Sequence, residues 1–156
     1  TPVLNDVQQV SSSTIRRVIT EGDVETAARL LGRPYSTSGV VIQGEARGRL
    51  LGYPTANLAI EPERVFPNDG IYATRVRLGG EVYSAATYIG SKPMFGGQER
   101  LVEAFLLDFQ GDLYGQELRV EWVRKLRDNQ EFASASALEG QMAQDIAQAR
   151  LVLSKA

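Results

Sequence analysis

Between Tyr35 and Val123 the chain alternates short β-rich runs with turn signals, and that texture constrains its fold more than any other feature. The runs fall at residues 38–43, 71–78, 82–89, 101–109 and 117–123. Gly79-Gly80 separates two of them, and glycine readily takes the positive φ that a two-residue hairpin turn requires. Gln110-Gly111-Asp112 is expected to close a second hairpin. Strands joined mainly by hairpins give an antiparallel sheet, and five or six of them within about 90 residues suggest a small closed barrel.

Helices are expected on either side of the strands. Residues 12–31 read as two short helices. Ser12 or Ser13 caps the first, Ile15, Val18 and Ile19 give it an apolar face, and Gly22 stops it. Asp23 caps the second, which ends at Gly32 before Arg33-Pro34. Residues 134–154 read as a third helix. Its Leu138, Met142, Ile146, Ala149 and Leu153 recur at steps of three and four, forming one stripe to pack on the barrel.

Composition mainly excludes. Apolar content of 43% and charged content of 23% are ordinary for a globular protein. Seventeen basic against nineteen acidic residues give a net charge of −2, which offers nucleic acid no electrostatic footprint. No apolar run approaches the roughly 18–20 residues that span a bilayer, so no membrane partner is expected. The absence of Cys excludes disulfide and thiolate chemistry and fits a cytoplasmic origin. The absence of His removes the usual general base and the commonest transition-metal ligand. Acid–base chemistry must then use a carboxylate, Lys or Tyr, and any metal should be a hard, oxygen-bound one.

Candidate chemistry centres on Gly48-Arg49-Leu50-Leu51-Gly52-Tyr53-Pro54-Thr55-Ala56-Asn57, which follows the apolar run Val40-Val41-Ile42. Glycines let backbone N–H groups approach an anion, and Arg47 and Arg49 supply charge-assisted hydrogen bonds. The Thr55 hydroxyl and Asn57 amide oxygen are hard ligands of the kind Mg²⁺ accepts beside phosphates. The same residue types also suit an ordinary surface loop with an Asx-turn at Asn57. Neither G-x-x-x-x-G-K-[ST] nor G-x-G-x-x-G after a strand is present.

Glu103 is the second candidate. In a strand, Val102, Ala104 and Leu106 share one face, and Glu103, Phe105 and Leu107 share the other. A carboxylate in so apolar a run is costly to bury unless it is paired or has a task. From the residues alone, a partly exposed barrel carboxylate remains the alternative. Asp108 and Asp112 read as solvated or turn-forming, and Trp122 and Tyr114 as packing residues.

The Gly48–Asn57 stretch resembles the signature of the riboflavin kinases, and further motifs follow in order. Pro67-Asn68-Asp69-Gly70-Ile71-Tyr72-Ala73 resembles the family's Pro-x-x-Gly-Val-Tyr-Ala, and Ile89-Gly90-Ser91-Lys92-Pro93-Met94-Phe95-Gly96-Gly97 its Ile-Gly-x-x-Pro-x-Phe-Gly loop. Val102-Glu103 resembles its Val-Glu strand, Leu113-Tyr114-Gly115 its Leu-Tyr-Gly turn, and Leu126-Arg127 with Phe132 its Leu-Arg-x-x-x-x-Phe segment. The resemblance implies a six-stranded antiparallel Greek-key barrel with a C-terminal helix. It also implies transfer of the γ-phosphate of ATP to riboflavin, giving FMN, with Mg²⁺. By position, it makes Glu103 the general base and assigns Gly48, Arg49, Gly52, Pro54, Thr55 and Asn57 to ATP and its phosphates. Thr55 and Asn57 are the implied metal ligands. Gly90, Pro93, Phe95, Gly96, Arg127 and Phe132 fall on the flavin side. Lys92 and Met94 depart from the asparagine and threonine more usual in the family.

Val10-Ser11-Ser12-Ser13-Thr14-Ile15-Arg16-Arg17 resembles a segment near the end of the adenylyltransferase module of bacterial bifunctional FAD synthetases. Residues 1–32 are therefore expected to be a helical remnant or linker from such a module, and residues 33–156 the kinase domain. An N-terminal adenylyltransferase module is the expected partner in the full-length protein. Two competing classes are a non-catalytic flavin- or nucleotide-binding regulatory module and a nucleic-acid-binding barrel. Retention of Thr55, Asn57 and Glu103 together argues against the first, and the charge balance against the second.

Overall fold

The structure, a computed structural model, describes residues 12–42, 55–59, 65–94, 97–109 and 111–155. Helices α1 (Ser12–Thr20) and α2 (Val24–Leu31) precede strands β1 (Tyr35–Ile42), β2 (Thr55–Leu58), β3 (Gly70–Leu78), β4 (Glu81–Met94), β5 (Gly97–Leu106) and β6 (Glu117–Arg127). Helix α3 (Ala135–Lys155) follows. The capping signals of α2 act as read, whereas Ser12 and Ser13 lie inside α1 instead of capping it. Asp23 Oδ1 accepts the Thr26 N–H at 3.1 Å. Gly32, at φ 77°, ends α2 in the left-handed region and donates to the Ala28 carbonyl at 2.8 Å. Ser134 Oγ accepts the Ala137 N–H at 3.1 Å and so caps α3.

The strands close into a six-stranded antiparallel barrel in the order β1-β2-β5-β4-β3-β6. Gly79, at φ 60°, turns the β3–β4 hairpin as its sequence predicts. The connections from β2 to β3 and from β5 to β6 skip neighbours, which makes the path a Greek key rather than a simple meander.

Four further expectations need correction. First, the 110–112 turn closes no hairpin: β5 pairs with β2 and β4, whereas β6 pairs with β1 and β3. The chain leaves the sheet at Asp108 (φ 61°), and Leu113 folds into the core before β6 begins. Second, residues 55–58 form a strand, β2, where only a phosphate-loop signal was legible. Third, residues 90–94 and 97 belong to strands β4 and β5, paired as far as Met94↔Gly97, where a loop was expected; Phe95 and Gly96 between them lie outside the described residues. Fourth, Tyr114 is no packing residue, since 60% of it is exposed. Asp112 fits the turn role, its Oδ1 accepting the Tyr114 N–H at 2.9 Å.

Alternation divides the barrel wall. Tyr72, Val76, Ile89, Val102, Leu106, Val120 and Trp122 fill the interior. Trp122 meets Tyr72 edge to face at 5.3 Å between ring centroids, and its indole N–H donates to Thr37 Oγ1 at 3.1 Å. The buried hydroxyls of Thr74 and Thr87 satisfy each other at 2.7 Å. Val24 of α2 joins this interior cluster, while Val18, Ile19 and Ala27 of the helical pair bury in a separate cluster against Tyr35 and Val65. Outside, Ala73 and Ala86 are small enough for α3 to lie close, and Ile146, Ala149 and Leu153 bury against them and Leu107. Each large aliphatic side chain so buried contributes roughly 1.5–3 kcal/mol.

Candidate active site

With Val102, Ala104 and Leu106 turned inward, Glu103 and Phe105 take the outer side of β5. Register then supplies their neighbours. Glu103 stands opposite Asn57 of β2 on one side and Tyr88 of β4 on the other. Tyr88 stands opposite Ile71 of β3, and Ile71 opposite Arg127 of β6. Opposed residues of antiparallel strands share a face. Asn57, Glu103, Tyr88, Ile71 and Arg127 therefore make one row along the outside of the wall. Strand spacing of about 4.8 Å puts Asn57 about 5 Å and Arg127 roughly 14 Å from Glu103, backbone to backbone.

The row is covered. Glu103 is only 4% exposed, and Asn57 and Tyr88 are half-buried. A slot runs between this wall and α3, lined by Ile71, Ala86, Tyr88, Phe105, Arg127, Phe132, Leu138, Met142 and Asp145. Between its walls there is room for only about 20 Å³ of water-sized contents, well short of the usual small-molecule site. A flat ring could enter the slot only by parting these walls. A second, more open cavity, lined by Thr20, Phe66, Asn68, Asp69, Ser91 and Arg100, contains none of the residues given a site role from the sequence.

Polar geometry is concentrated at one end of the slot. Arg127 Nε donates to Asp145 Oδ1 at 2.8 Å and Nη2 to Oδ2 at 2.7 Å. Gln141 Nε2 adds a 3.1 Å bond to Oδ1, and Arg127 Nη1 donates to the Asp128 carbonyl at 2.9 Å. The guanidinium lies over the Phe132 ring at 5.8 Å from its centroid. Asp128 is held below the usual carboxylate range by its hydrogen bond and ion pair with Lys125.

The structure thus joins Glu103, Asn57, Arg127 and Phe132, which come from three separate sequence motifs. Thr55 belongs to the same strand as Asn57, its backbone paired with Phe105. Gly90 continues β4 two residues beyond Tyr88, and a Cβ there would lie 2.8 Å from Tyr88 Cε1. Its bareness is what leaves room for the tyrosine ring. Pro93 pairs with Gln98 in the hairpin arm. Gly48, Arg49, Gly52, Pro54, Phe95 and Gly96 lie outside the described residues. Sequence reading missed Tyr88 and Asp145. Asp145 carried a signal, a carboxylate between Met142 and Ile146 on an otherwise apolar helix stripe. Tyr88 carried none, because its place depends on register.

The Asn57 end of the row offers oxygen donors only. Among the described residues no group of three or more His, Cys, Asp or Glu side chains forms a cage for a cation. An amide oxygen beside a buried carboxylate fits Mg²⁺, which keeps several waters and shares phosphate oxygens instead of filling a protein cage. Among the described residues, no helix is long and apolar enough to cross a membrane.

The fold is a closed six-stranded Greek-key barrel whose candidate site, this row and the slot under α3, lies on the outside of the wall. The family described as Flavokinase: Riboflavin kinase matches residues 31–153, and the chain belongs to the riboflavin kinase family. It is 37% identical over 148 residues to the bifunctional riboflavin kinase/FMN adenylyltransferase of Listeria monocytogenes, covering 94% of this chain and 47% of that protein. It is 40% identical over 146 residues to the protein of the same description from Pseudomonas fluorescens, covering 93% and 47%. The chain spans about half the length of the curated relatives it matches. Among solved structures, the riboflavin kinase of Trypanosoma brucei matches with a TM-score of 0.57 at 26% identity, covering 78% of this chain and 81% of that one. A Streptococcus pneumoniae protein described as a macrolide-efflux protein matches with a TM-score of 0.85 at 38% identity, covering 90% and 46%.

Proposed function

We propose that this chain transfers the γ-phosphate of ATP to the ribityl 5′-hydroxyl of riboflavin, giving FMN and ADP. The observation that carries the reading is the outer row, which sets a buried carboxylate between an amide oxygen and a thin apolar slot. The isoalloxazine ring takes the slot, against Tyr88, Phe105, Phe132 and Met142, with Arg127 at its polar end. The ribityl chain then runs along the row toward Glu103. As the hydroxyl oxygen bonds to the γ-phosphorus and the bond to the β,γ-bridging oxygen breaks, Glu103 accepts the hydroxyl proton. Asn57 and Thr55 would hold Mg²⁺, which neutralises charge on the phosphates. Burial of Glu103 serves this role, because water-excluded groups act more strongly on developing charge.

In the same reading, Gly48, Arg49, Gly52 and Pro54 contact ATP, while Gly90, Pro93, Phe95 and Gly96 shape the flavin side. Residues 1–32 are the tail of an adenylyltransferase module and 33–156 the kinase domain, as the names of the bifunctional relatives suggest. Both substrates are water-soluble metabolites, consistent with work in the cytoplasm. The test is incubation with riboflavin, ATP and Mg²⁺, followed by chromatography. FMN with stoichiometric ADP is expected. Tight riboflavin binding without FMN would instead assign a regulatory flavin-binding role.

A further inference from the structure

Asp145 is the one charged residue buried on the inner stripe of α3 among the described residues, 6% exposed between Met142 and Ile146. Both its oxygens are engaged by Arg127, and Gln141 from the preceding helical turn adds a third bond. Arg127 ends β6, reaches the Asp128 carbonyl, and lies over Phe132. The segment beyond it is tied to the wall by Asn129 Nδ2, which donates to the Ile89 carbonyl at 3.0 Å. One carboxylate therefore locks the end of β6, the 128–132 segment and α3 together, around a single slot.

We propose that Asp145 is a positioning residue for the slot's ligand: through Arg127 it presets the guanidinium and the Phe132 ring before the ligand arrives. The inference rests on the flavin reading of the slot. A planar guanidinium gripped at two nitrogens cannot rotate, and Arg127 still has N–H groups beyond the three bonds described. Those donors line the slot and suit carbonyl and ring-nitrogen acceptors at the edge of a flat heterocycle. Without Asp145, Arg127 can swing toward solvent or Asp128, and the ligand must order both it and Phe132 on binding. That ordering appears as lost affinity. It does not touch proton transfer at Glu103, three strands away along the row.

The experiment compares the full chain with Asp145→Asn, Asp145→Glu and the double variant Arg127→Met/Asp145→Leu. Riboflavin affinity is read by quenching of flavin fluorescence, turnover by FMN formation, and stability by thermal melting. Asp145→Asn should raise riboflavin Kd and KM at least tenfold, with a much smaller fall in kcat at saturating flavin. Asp145→Glu should recover part of the loss. The double variant leaves no unpaired buried charge, so it should regain melting temperature while keeping the weakened flavin binding. Affinity that returns with stability in the double variant, or wild-type Kd in folded Asp145→Asn, overturns the positioning role alone. A wild-type chain that neither binds nor phosphorylates riboflavin overturns the flavin reading and this inference with it.

Discussion

Asn57 and Glu103 stand opposite each other on β2 and β5, so an amide and a buried carboxylate share one side of the barrel wall. The pairing brings together two motifs separated by more than forty residues of chain. It also suggests distinct roles, because an amide cannot act as a base at neutral pH and a carboxylate can.

Glu103→Gln keeps shape and loses basicity. General-base assistance is worth about 10²–10⁴-fold, and a loose phosphoryl-transfer transition state favours the lower part of that range. We expect kcat to fall by about 10²-fold or more, with riboflavin and ATP dissociation constants within a few-fold of wild type. Steady-state kinetics with calorimetric binding would decide it, and unchanged kcat would remove Glu103 from the chemistry.

Asn57→Ala removes the amide oxygen and leaves the carboxylate. Turnover should fall and the Mg²⁺ concentration for half-maximal rate should rise, while riboflavin still quenches on binding. A Mg²⁺ titration identical to wild type would exclude Asn57 as a ligand.

Gly90→Ala tests the room left for Tyr88. The new methyl carbon would lie 2.8 Å from the tyrosine ring, so the ring must move. Overpacking of this kind typically costs about 1–3 kcal/mol. Because the ring lines the slot, riboflavin KM should rise several-fold together with a lowered melting temperature. Loss of stability with unchanged KM would separate Tyr88 from ligand binding.

Trp122 and Thr37 test the interior independently of the site. Thr37→Val deprives the buried indole N–H of its acceptor, a loss of about 1–3 kcal/mol. Trp122→Ala should cost about 3–5 kcal/mol, a large share of the about 5–15 kcal/mol that folds a typical domain. Urea unfolding measures both. Specific activity of folded Thr37→Val should match wild type, since its hydroxyl points into the barrel.

Asp23 gives a pH dependence with a definite sign. Hydrogen bonds from the Thr26 side chain and backbone lower its pKa from the ordinary value of 3.8. Its contribution is therefore present above the unfolded pKa and fades as pH falls through the still lower folded value. Asp23→Asn retains the cap without the titration. The melting temperature of wild type relative to Asp23→Asn should drop as pH is lowered below about 4. A constant difference across that range would show that the cap does not titrate with folding.

Periodicity made much of this legible in the sequence. The alternation around Glu103 sorted inner from outer residues, and the 138–153 stripe located α3, because both follow from a local repeat. Partner choice left no such trace. Gln110-Gly111-Asp112 looks like any hairpin turn, yet the chain at Leu113 dives into the core and emerges beside β1 and β3. β2 is only four residues long, and its strand character was hidden beneath a motif whose residues also suit a loop. Arg127 was singled out by resemblance, but Asp145, which holds it, was invisible as a partner until α3 was laid on the wall.

The seam between β1 and β6 has a temporal consequence. It brings together Thr37 and Trp122, 85 positions apart, whereas β3, β4 and β5 are joined by adjacent hairpins. Distant pairing bears its loop-closure entropy before contacts reward it, so the seam is expected to form after the hairpins. The early meander carries Ile71, Tyr88 and Glu103, while Asn57 and Arg127 arrive only with β2 and β6. Flavin quenching during refolding should accordingly develop in the final phase. On the proposed function, a nascent chain would then draw on neither flavin nor nucleotide pools until its cylinder is shut, and possession of the site becomes a report that folding is complete.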